Sequence, residues 1–426
     1  MTPAGEAAPV PPAALTVAPA GWLVGARAPG PADARLSELA LEPTPLPILQ
    51  PALEPAEASE PTPAPPGLAL VGAGRFGALC LEAYAKSGLV SVICVSDENQ
   101  DRARKLAEPR GLSTAKFADL LNDERVSIVH LCTPPSLHAK SAIAALRAGK
   151  HVFLEGPVAT NLEDAEALAA VAAETGRQVI VNHLPHQHPL WRAALAVSEA
   201  GLFGPLQRLE QTTLASSEGL DDAHWIWHRE VSGGLFVGRA TPFLDLARRL
   251  VGQPETRVSA QAVRHGVRED RVSCTFTYAG GATGNLYYAV ERTDRSERGT
   301  ARLYFARGQI SLHGLALERL EVEGLLKPEA VSTLETLLGV TARVTDEPNA
   351  NGRNDVLVSA VVTRPEPQED ERAAIRANLS DLTRAIHDPA ILRLGGLNDD
   401  LNGLRAACAA RQAADENNTL NLEEEA

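Results

Sequence analysis

The feature that most constrains this chain is a glycine-rich segment, Gly72–Gly77, placed between a short apolar run and a helical pattern. Leu68–Val71 predicts a buried strand, and Phe76–Lys86 has the periodicity of an amphipathic helix. In such a turn the first glycine allows a tight bend, the second lets a pyrophosphate approach the backbone, and the third lets the helix pack on the strand. The segment therefore predicts a Rossmann-type dinucleotide site.

An acidic residue stands where such a site needs one. Val90–Val95 predicts the second strand, and Asp97 follows it, twenty residues beyond Gly77. A carboxylate at this strand end accepts hydrogen bonds from a ribose and repels a 2′-phosphate. We therefore expect NAD as the cofactor, with NADP disfavoured.

Strands and helices continue to alternate as far as residue 185. The predicted strands Ser127–Cys132, His151–Leu154 and Gln178–Val181 are separated by the helices Leu137–Arg147 and Leu162–Glu174. This alternation predicts an α/β domain with a doubly wound parallel sheet, covered by helices on both faces.

The second half of the chain is richer in strands. The candidates are Leu206–Leu214, Arg257–Val263, Val272–Tyr278, Thr283–Val290, Ala301–Ala306 and Gln309–Leu312. Tyr278–Gly281 predicts a hairpin turn between two of them. Helices are expected at Phe243–Leu250, Ala373–Ile386 and Leu401–Ala414.

Composition divides the chain into four parts. Residues 1–66 are rich in proline and alanine and predict a largely disordered arm, because proline removes backbone donors and fixes φ. A short helix at Ala32–Leu41, or packing of the arm on a neighbouring subunit, is the alternative. Residues 67–185 form the predicted dinucleotide-binding domain, residues 186–422 the second domain, and residues 423–426 an acidic, frayed tail.

Charge and cysteine content exclude several classes of protein. A formal net charge of −14 argues against a nucleic-acid-binding surface. The five cysteines stand singly, which predicts reduced thiols rather than disulfides or a metal site. The apolar runs are too short to span a bilayer and the N-terminus has no export signal. We therefore expect a cytoplasmic protein with no membrane or nucleic-acid partner.

Further motifs make the chain similar to a known family. Cys132–His138, Ala148–Pro157, Val181–Pro189, Gly201–Pro205 and Ser232–Gly234 resemble segments of the Gfo/Idh/MocA oxidoreductases, which include glucose–fructose oxidoreductase and inositol dehydrogenase. The resemblance implies a Rossmann domain followed by an α/β domain with a large, mostly antiparallel sheet. It also implies a small-molecule substrate bound between the domains and a homo-oligomer formed through the C-terminal sheet.

The glycine motif and the resemblance together name the residues that we expect beside the cofactor. These are Gly72, Gly74, Arg75, Phe76, Gly77, Asp97, Thr133, Pro134, His138 and Glu155.

The groups that move a proton in the family are absent at the matching positions. Relatives carry Glu-Lys-Pro where this chain has Glu155–Pro157, so the lysine position is Gly156. An aspartate and a histidine four residues apart correspond here to Gly238 and Pro242. Thr241 and Pro242 predict instead the N-cap and first residue of a helix. A positioned acid–base group contributes about 10²–10⁴ in rate, and glycine and proline cannot supply it.

Histidines near the expected cleft are the candidate replacements. His183 and His186 follow a predicted strand, and an imidazole can exchange a proton near neutral pH. Trp225 and Trp227 predict either core packing or a substrate wall. His186 and His188 form a His-x-His pair, but no carboxylate or thiol stands at a recognisable spacing, so we predict no metal.

Three functions remain open on the sequence. The first is a divergent NAD-dependent oxidoreductase of a sugar, polyol or related carbonyl compound, with a non-standard or impaired proton relay. The second is a catalytically silent protein that binds the dinucleotide as a sensor or partner subunit. The third is an NAD-dependent, glycosidase-like lyase or hydrolase, which still depends on transient hydride transfer, so the missing relay counts against it too.

Overall fold

The computed structural model describes residues 64–85, 87–218, 220–266, 268–291, 297–345, 354–388 and 396–422. Nearly all of the proline-rich arm, with its candidate helix at 32–41, and the acidic tail at 423–426 lie outside these residues.

The first domain is built on a six-stranded sheet in the order β3-β2-β1-β4-β5-β6, and every pair of neighbouring strands is parallel. Its strands are β1 (Gly67–Val71), β2 (Ser91–Ser96), β3 (Ser113–Thr114), β4 (Ile128–Leu131), β5 (His151–Leu154) and β6 (Val179–Val181). All residues of β1, β4 and β6 are buried, as expected for strands covered on both faces. The predicted doubly wound parallel sheet is confirmed.

Helices connect these strands and cover the sheet. They are α1 (Arg75–Tyr84), α2 (Gln100–Ala107), α3 (Phe117–Leu121), α4 (His138–Arg147), α5 (Leu162–Thr175), α6 (Leu184–Gln187) and α7 (Pro189–Glu199). Because each parallel crossover brings the chain back to the same sheet edge, the loops after β1, β2, β4 and β5 meet at the carboxyl ends of the strands.

The second domain is built on a ten-stranded sheet in the order β14-β15-β13-β12-β11-β7-β10-β9-β8-β16. Its strands are β7 (Leu206–Ser216), β8 (Glu255–His265), β9 (Arg268–Tyr278), β10 (Thr283–Glu291), β11 (Arg298–Phe305), β12 (Gly308–His313), β13 (Arg319–Leu326), β14 (Arg343–Thr345), β15 (Val356–Thr363) and β16 (Thr419–Asn421). Only β7 and β10 pair in parallel, so the predicted mostly antiparallel sheet is confirmed.

The hairpin predicted at Tyr278–Gly281 joins β9 to β10. Gly280 and Gly281 have φ of 86° and 89°. The amide of Gly281 donates to the carbonyl of Tyr278 at 3.0 Å and closes the turn, in which glycine adopts positive φ without a steric cost.

The helices of the second domain are α8 (Arg229–Ser232), α9 (Thr241–Val251), α10 (Val331–Leu338), α11 (Pro367–His387) and α12 (Leu397–Glu416). Helix α11 returns to the first domain and packs on α1 and α6, while α12 packs on α9 and β8. In the described part of the chain, no helix is both long enough and apolar enough to cross a bilayer.

The start of α9 differs from the prediction. A π-helical turn, Phe236–Ala240, leads directly into α9, and Thr241 has helical dihedrals. Its hydroxyl donates to the carbonyl of Val237 at 2.8 Å, four residues back, as threonine does inside a helix. The prediction that Thr241 is the N-cap is therefore wrong, because the preceding turn supplies a helical backbone.

Candidate active site

The glycine loop after β1 has two positions that only glycine can occupy. Gly72 has a φ of 105°, and a Cβ built on it would lie 2.4 Å from the carbonyl oxygen of Cys132. A Cβ on Gly77 would lie 2.1 Å from the carbonyl oxygen of Gly72. These contacts fix the turn between β1 and α1 and the close packing of the helix on the strand.

Gly74 faces open space instead. A Cβ placed on it would meet nothing within 4 Å, although it stands at the N-cap of α1. The first amides of a helix have no intrahelical partner, and the N-terminus carries a partial positive charge. The loop therefore leaves room beside α1 for an anionic group such as a pyrophosphate.

Asp97 lies at the carboxyl end of β2, beside this loop. Its Oδ2 accepts a hydrogen bond from the amide of Ala73 at 2.8 Å, and its Oδ1 accepts from the amide of Asn99 at 2.8 Å. The guanidinium of Arg102 is 3.6 Å from Oδ1. A carboxylate has about four acceptor sites, so Asp97 retains capacity for ribose hydroxyls after both backbone bonds.

A cleft of about 750 Å³, open to solvent, lies between the two domains. Its described lining is Phe76, Cys132, Thr133, Pro135, His138, Glu155, Gly156, Trp225, Ile226, Ser232, Gly234, Leu235, Gly238 and Arg239. The cleft therefore brings predicted cofactor residues of the first domain against a segment of the second domain that includes Gly238, one of the missing relay positions.

Thr133 and His138 shape the first-domain side of this cleft. Thr133 Oγ1 is buried without a hydrogen-bond partner among the described residues. His138 is buried, with Nδ1 2.7 Å from the carbonyl of Pro157 and Nε2 2.6 Å from that of Thr133. Burial lowers the pKa of His138. His138 thus joins the two loops that line the cleft, and the free Thr133 hydroxyl suits a polar group of a bound dinucleotide.

Pro134, also predicted beside the cofactor, does not line this cleft, whereas the next residue, Pro135, does. Arg75 stands exposed at the start of α1, and Phe76 lines the cleft directly. The structure therefore brings most of the predicted cofactor residues to one edge of the first sheet.

Glu155 follows β5 and is held by two side chains. Asn182 Nδ2 donates to its two oxygens at 3.0 and 3.2 Å, and His130 Nε2 lies 2.7 Å from Oε1. The other ring nitrogen of His130 lies 2.6 Å from the hydroxyl of Tyr84. A chain of hydrogen-bonding groups therefore leads from the cleft through Glu155 and His130 to Tyr84. His130 was not predicted as a site residue, although a histidine inside an apolar strand was a usable signal.

The structure also shows what occupies the missing relay positions. Gly156 and Gly238 line the cleft, and Pro242 is buried. A Cβ on Gly156 would lie 3.3 Å from His183 Nε2, and a Cβ on Gly238 would lie 2.5 Å from the carbonyl of Ser232. Because that last contact is with backbone, an aspartate at position 238 would require the chain to move.

The candidate proton donors His183 and His186 lie behind the cleft rather than in its lining. Both are buried; His183 Nε2 is 2.6 Å from Asp400 Oδ1, and His186 Nε2 is 2.9 Å from Asp245 Oδ2. Burial disfavours the imidazolium of His183, but the hydrogen bond to Asp400 and the negative charges of the neighbouring carboxylates together outweigh burial and raise the pKa. Burial lowers the pKa of His186. Their role in proton transfer stays a prediction.

The two tryptophans have separate positions. Trp225 lines the cleft and is 37% exposed. Trp227 is buried, donates its Nε1–H to the carbonyl of Asp221 at 2.8 Å, and stacks under the guanidinium of Arg268 at 4.1 Å. Trp227 is therefore a packing residue, and Trp225 forms part of a wall.

Comparison with known proteins places the chain in a family. Residues 67–183 match the profile described as "Oxidoreductase family, NAD-binding Rossmann fold", and residues 191–311 match the GFO/IDH/MocA C-terminal domain. Together the two matches cover more than half of the chain. The chain belongs to the Gfo/Idh/MocA oxidoreductase family. Its first domain is an NAD-binding Rossmann domain, and the resemblance stated from the motifs is confirmed.

Curated members of the family share part of this sequence. The dTDP-3,4-didehydro-2,6-dideoxy-alpha-D-glucose 3-reductase of Streptomyces violaceoruber is 30% identical over 186 residues, 43% of this chain and 54% of that protein. The scyllo-inositol 2-dehydrogenase (NAD(+)) of Bacillus subtilis is 29% identical over 198 residues, 45% of this chain and 55% of that protein. The chain thus matches about half the length of these relatives.

Solved structures of the family share the fold. Levoglucosan dehydrogenase in complex with NADH and L-sorbose aligns with a TM-score of 0.69 at 20% identity, covering 84% of this chain and 99% of that one. The aldose-aldose oxidoreductase from Caulobacter crescentus aligns with a TM-score of 0.66 at 21% identity, covering 84% of this chain and 100% of that one.

Proposed function

We propose that this member of the family is an NAD-dependent oxidoreductase of a sugar, polyol or related carbonyl compound, in which Glu155 takes over the lost proton relay. One observation carries the proposal. Glu155 is the carboxylate among the described residues that line the cleft, and it is backed by the pair His130–Tyr84. The named substrates of the sugar and inositol relatives support the substrate class.

The geometry of the glycine loop supports NAD over NADP. The carboxylate of Asp97 is tied to the loop through Ala73, so it lies where a ribose would be bound. Its negative charge repels a 2′-phosphate. Arg102, 3.6 Å away, partly offsets that charge, so we expect preference for NAD rather than absolute exclusion of NADP.

The chemistry assigned to the chain is proton transfer and orientation. When bound, the nicotinamide supplies the hydride acceptor. Oxidation of a carbinol also releases the hydroxyl proton, which Glu155 accepts at a carboxylate oxygen, while the C–O bond becomes a carbonyl. In the reverse direction Glu155 returns the proton to the oxygen that was the carbonyl. Asn182 and His130 hold the carboxylate in one orientation, which is what a proton acceptor in a cleft requires.

Arg239 and Trp225 supply the opposite side of the proposed substrate site. Both line the cleft, and Arg239 directly follows Gly238 in the chain. A guanidinium stays charged at any physiological pH, so Arg239 cannot exchange the proton but can stabilise negative charge on the reacting oxygen. An indole face suits the apolar face of a sugar or polyol ring.

The substitution Glu155→Gln tests the proposed relay. It keeps the size and hydrogen-bonding shape of the side chain but removes its capacity to take a proton. We expect kcat to fall by about 10²–10⁴ on whichever sugar or polyol the wild type turns over, with NAD affinity nearly unchanged. Absorbance at 340 nm measures turnover, and calorimetry measures affinity. Glu163→Gln, an exposed carboxylate on α5, is the matched control and should behave as wild type.

The histidine hypothesis gives a different outcome in the same assay. If His183→Gln abolishes turnover while Glu155→Gln retains it, the proton passes through His183 and the assignment to Glu155 is wrong. Gly156 lines the cleft, and a Cβ built on it would lie 3.3 Å from His183 Nε2, so His183 is the histidine to compare with Glu155.

A catalytically silent, dinucleotide-binding protein is the second candidate function. The observation that favours it is that Gly156, Gly238 and Pro242 stand at the relay positions, where they supply no acid–base group. Saturable NAD binding without turnover of any sugar, polyol or carbonyl compound would favour the silent protein over the enzyme. The third function, the glycosidase-like lyase or hydrolase, predicts release of a glycosidic leaving group with no net change in absorbance at 340 nm. A cytoplasmic location is part of either proposal.

A further inference from the structure

Three buried side chains with metal-binding chemistry converge behind the Glu155–Gly156 turn. One nitrogen of His183, one nitrogen of His186 and one carboxylate oxygen of Asp245 lie within 4.8 Å of one another. All three residues are at most 5% exposed. His183 and His186 follow β6 of the first domain, whereas Asp245 belongs to α9 of the second, so this cluster spans the domain boundary.

The hydrogen bonding of this cluster is incomplete. His183 Nδ1 and both ring nitrogens of His186 are buried and have no hydrogen-bond partner within the described ranges. His186 Nε2 lies 2.9 Å from Asp245 Oδ2, but the two groups do not meet at a hydrogen-bonding angle. Buried polar atoms are normally paired with protein, water or an ion, so three unpaired nitrogens in one place are free to bind a small polar group or a metal ion.

We propose that His183, His186 and Asp245 bind a divalent transition-metal cation, with Zn²⁺ the best match. Two imidazoles and a carboxylate are a donor set that zinc prefers, with bond lengths of about 2.0–2.2 Å. A tetrahedral ion with such bonds holds its donors about 3.4 Å apart, so the widest donor separation in this cluster, which is no more than 4.8 Å, shortens when the ion binds. A water molecule completes the coordination.

Asp400 supports the proposal as the partner of a ligand. Its Oδ1 is 2.6 Å from His183 Nε2, and its Oδ2 accepts a hydrogen bond from the amide of Val158 at 2.9 Å. A metal-bound histidine commonly donates its other ring N–H to a carboxylate, which fixes the ring and the tautomer. With Nε2–H held by Asp400, the lone pair of His183 is on Nδ1, the atom that lacks a partner.

Charge and access also suit a cation. Asp245 and Asp399 act electrostatically on both histidines and Asp400 acts on His183, so three carboxylates surround this cluster. Asp245 and Asp399 also line an open surface cavity of about 620 Å³, which gives an ion a route from solvent. Arg248 lines the same cavity, but its guanidinium is paired with Glu255 at 2.8 Å.

Metal content and metal-dependent stability test this proposal, independently of turnover. Full-length protein expressed with added zinc and then desalted should carry about one zinc per chain by mass spectrometry. Co²⁺ added to the metal-free protein should give visible d–d bands, and Zn²⁺ should raise its Tm. His186→Gln and Asp245→Asn should lose all three signals, whereas Asp400→Asn should weaken zinc binding by about 10–100-fold.

His188→Asn is the matched control. His188 is a buried histidine two residues away, and its ring caps α7 at the amide of Leu190, a role that asparagine can keep. This variant should bind zinc like wild type. Wild-type protein that retains no zinc and shows no cobalt bands would overturn the proposal. So would equal zinc in wild type, His186→Gln and Asp245→Asn. If those two variants do not fold, unchanged zinc affinity in Asp400→Asn would overturn it.

Discussion

At the scale of single residues, the glycines of the cofactor loop have separable roles. Gly77→Ala places a methyl group 2.1 Å from the carbonyl of Gly72, whereas Gly74→Ala places one in open space. We therefore expect Gly77→Ala to lower the free energy of unfolding by about 1–3 kcal/mol. Gly74→Ala should keep the wild-type Tm but weaken NAD binding by at least about tenfold, because its methyl group occupies the space beside the pyrophosphate.

Thermal unfolding with and without NAD measures both effects. A Gly74→Ala variant that binds NAD with wild-type affinity would contradict the placement of the pyrophosphate at this loop.

The loop residues were predictable because their constraints are local: strand, turn and helix follow one another within a few positions. The hydrogen-bond partners of Glu155 were not predictable from the sequence. His130 lies 25 residues from Glu155 and reaches it only because β4 and β5 pair in the sheet. The cluster of His183, His186 and Asp245 was missed for the same reason. Asp245 is on α9, far along the chain from both histidines, and only the packing of α9 brings it beside them.

At the scale of elements, helix α11 carries a buried acid that makes stability depend on pH. Burial raises the pKa of Glu371 to about 7, although the positive charges of Arg75 and Arg372 lower it in part. The folded state therefore holds a proton that the unfolded chain releases near its ordinary pKa of about 4.3. The resulting stabilisation is full below that value and is lost as the pH rises to about 7.

We expect Glu371→Gln to remove this pH dependence and to raise the free energy of unfolding above pH 7 by on the order of 2–3 kcal/mol. Urea unfolding at a series of pH values is the measurement. Glu369→Gln, exposed on the same helix, is the control and should keep the wild-type slope. A wild-type stability that does not fall between pH 5 and 7 would show that Glu371 is charged in the fold.

Element types were predicted well where one pattern dominated. The buried strands of the first sheet and the hairpin between β9 and β10 are confirmed. Strands β13 and β15 were not predicted: β15 is a nearly continuous apolar run, which a helix could also present, and β13 carries charges between its apolar residues. Their assignment comes from pairing with each other in the sheet, which local sequence does not specify.

At the scale of the whole molecule, we expect the outer face of the ten-stranded sheet to bind a second copy of the chain. Val361 and Val263 are 46% and 40% exposed on this sheet. Light scattering should give a mass of a dimer or larger, and Val361→Asp should shift it towards the monomer, because a buried unpaired charge disfavours association. A monomeric mass at every concentration would contradict this expectation.

The two-domain architecture was predictable in outline, since an alternating pattern followed by a strand-rich one specifies these two kinds of sheet. The packing of α11 against the first domain was not predictable, because the sequence of this helix does not indicate which element it contacts. This packing matters for the site: Asn378 of α11 donates to the Oδ1 of Asn182, which in turn holds Glu155.

Calorimetric titration of the metal-free and zinc-supplemented protein with NAD and with NADP tests the central claim most directly. The loop at Gly72–Gly77 and the carboxylate of Asp97 predict one saturable site per chain, with tighter binding of NAD. They also predict that Asp97→Asn reduces the difference in binding affinity between NAD and NADP, because the substitution removes the charge that repels a 2′-phosphate. Absence of binding heat with either nucleotide at millimolar concentration, in protein free of bound dinucleotide, would contradict the account.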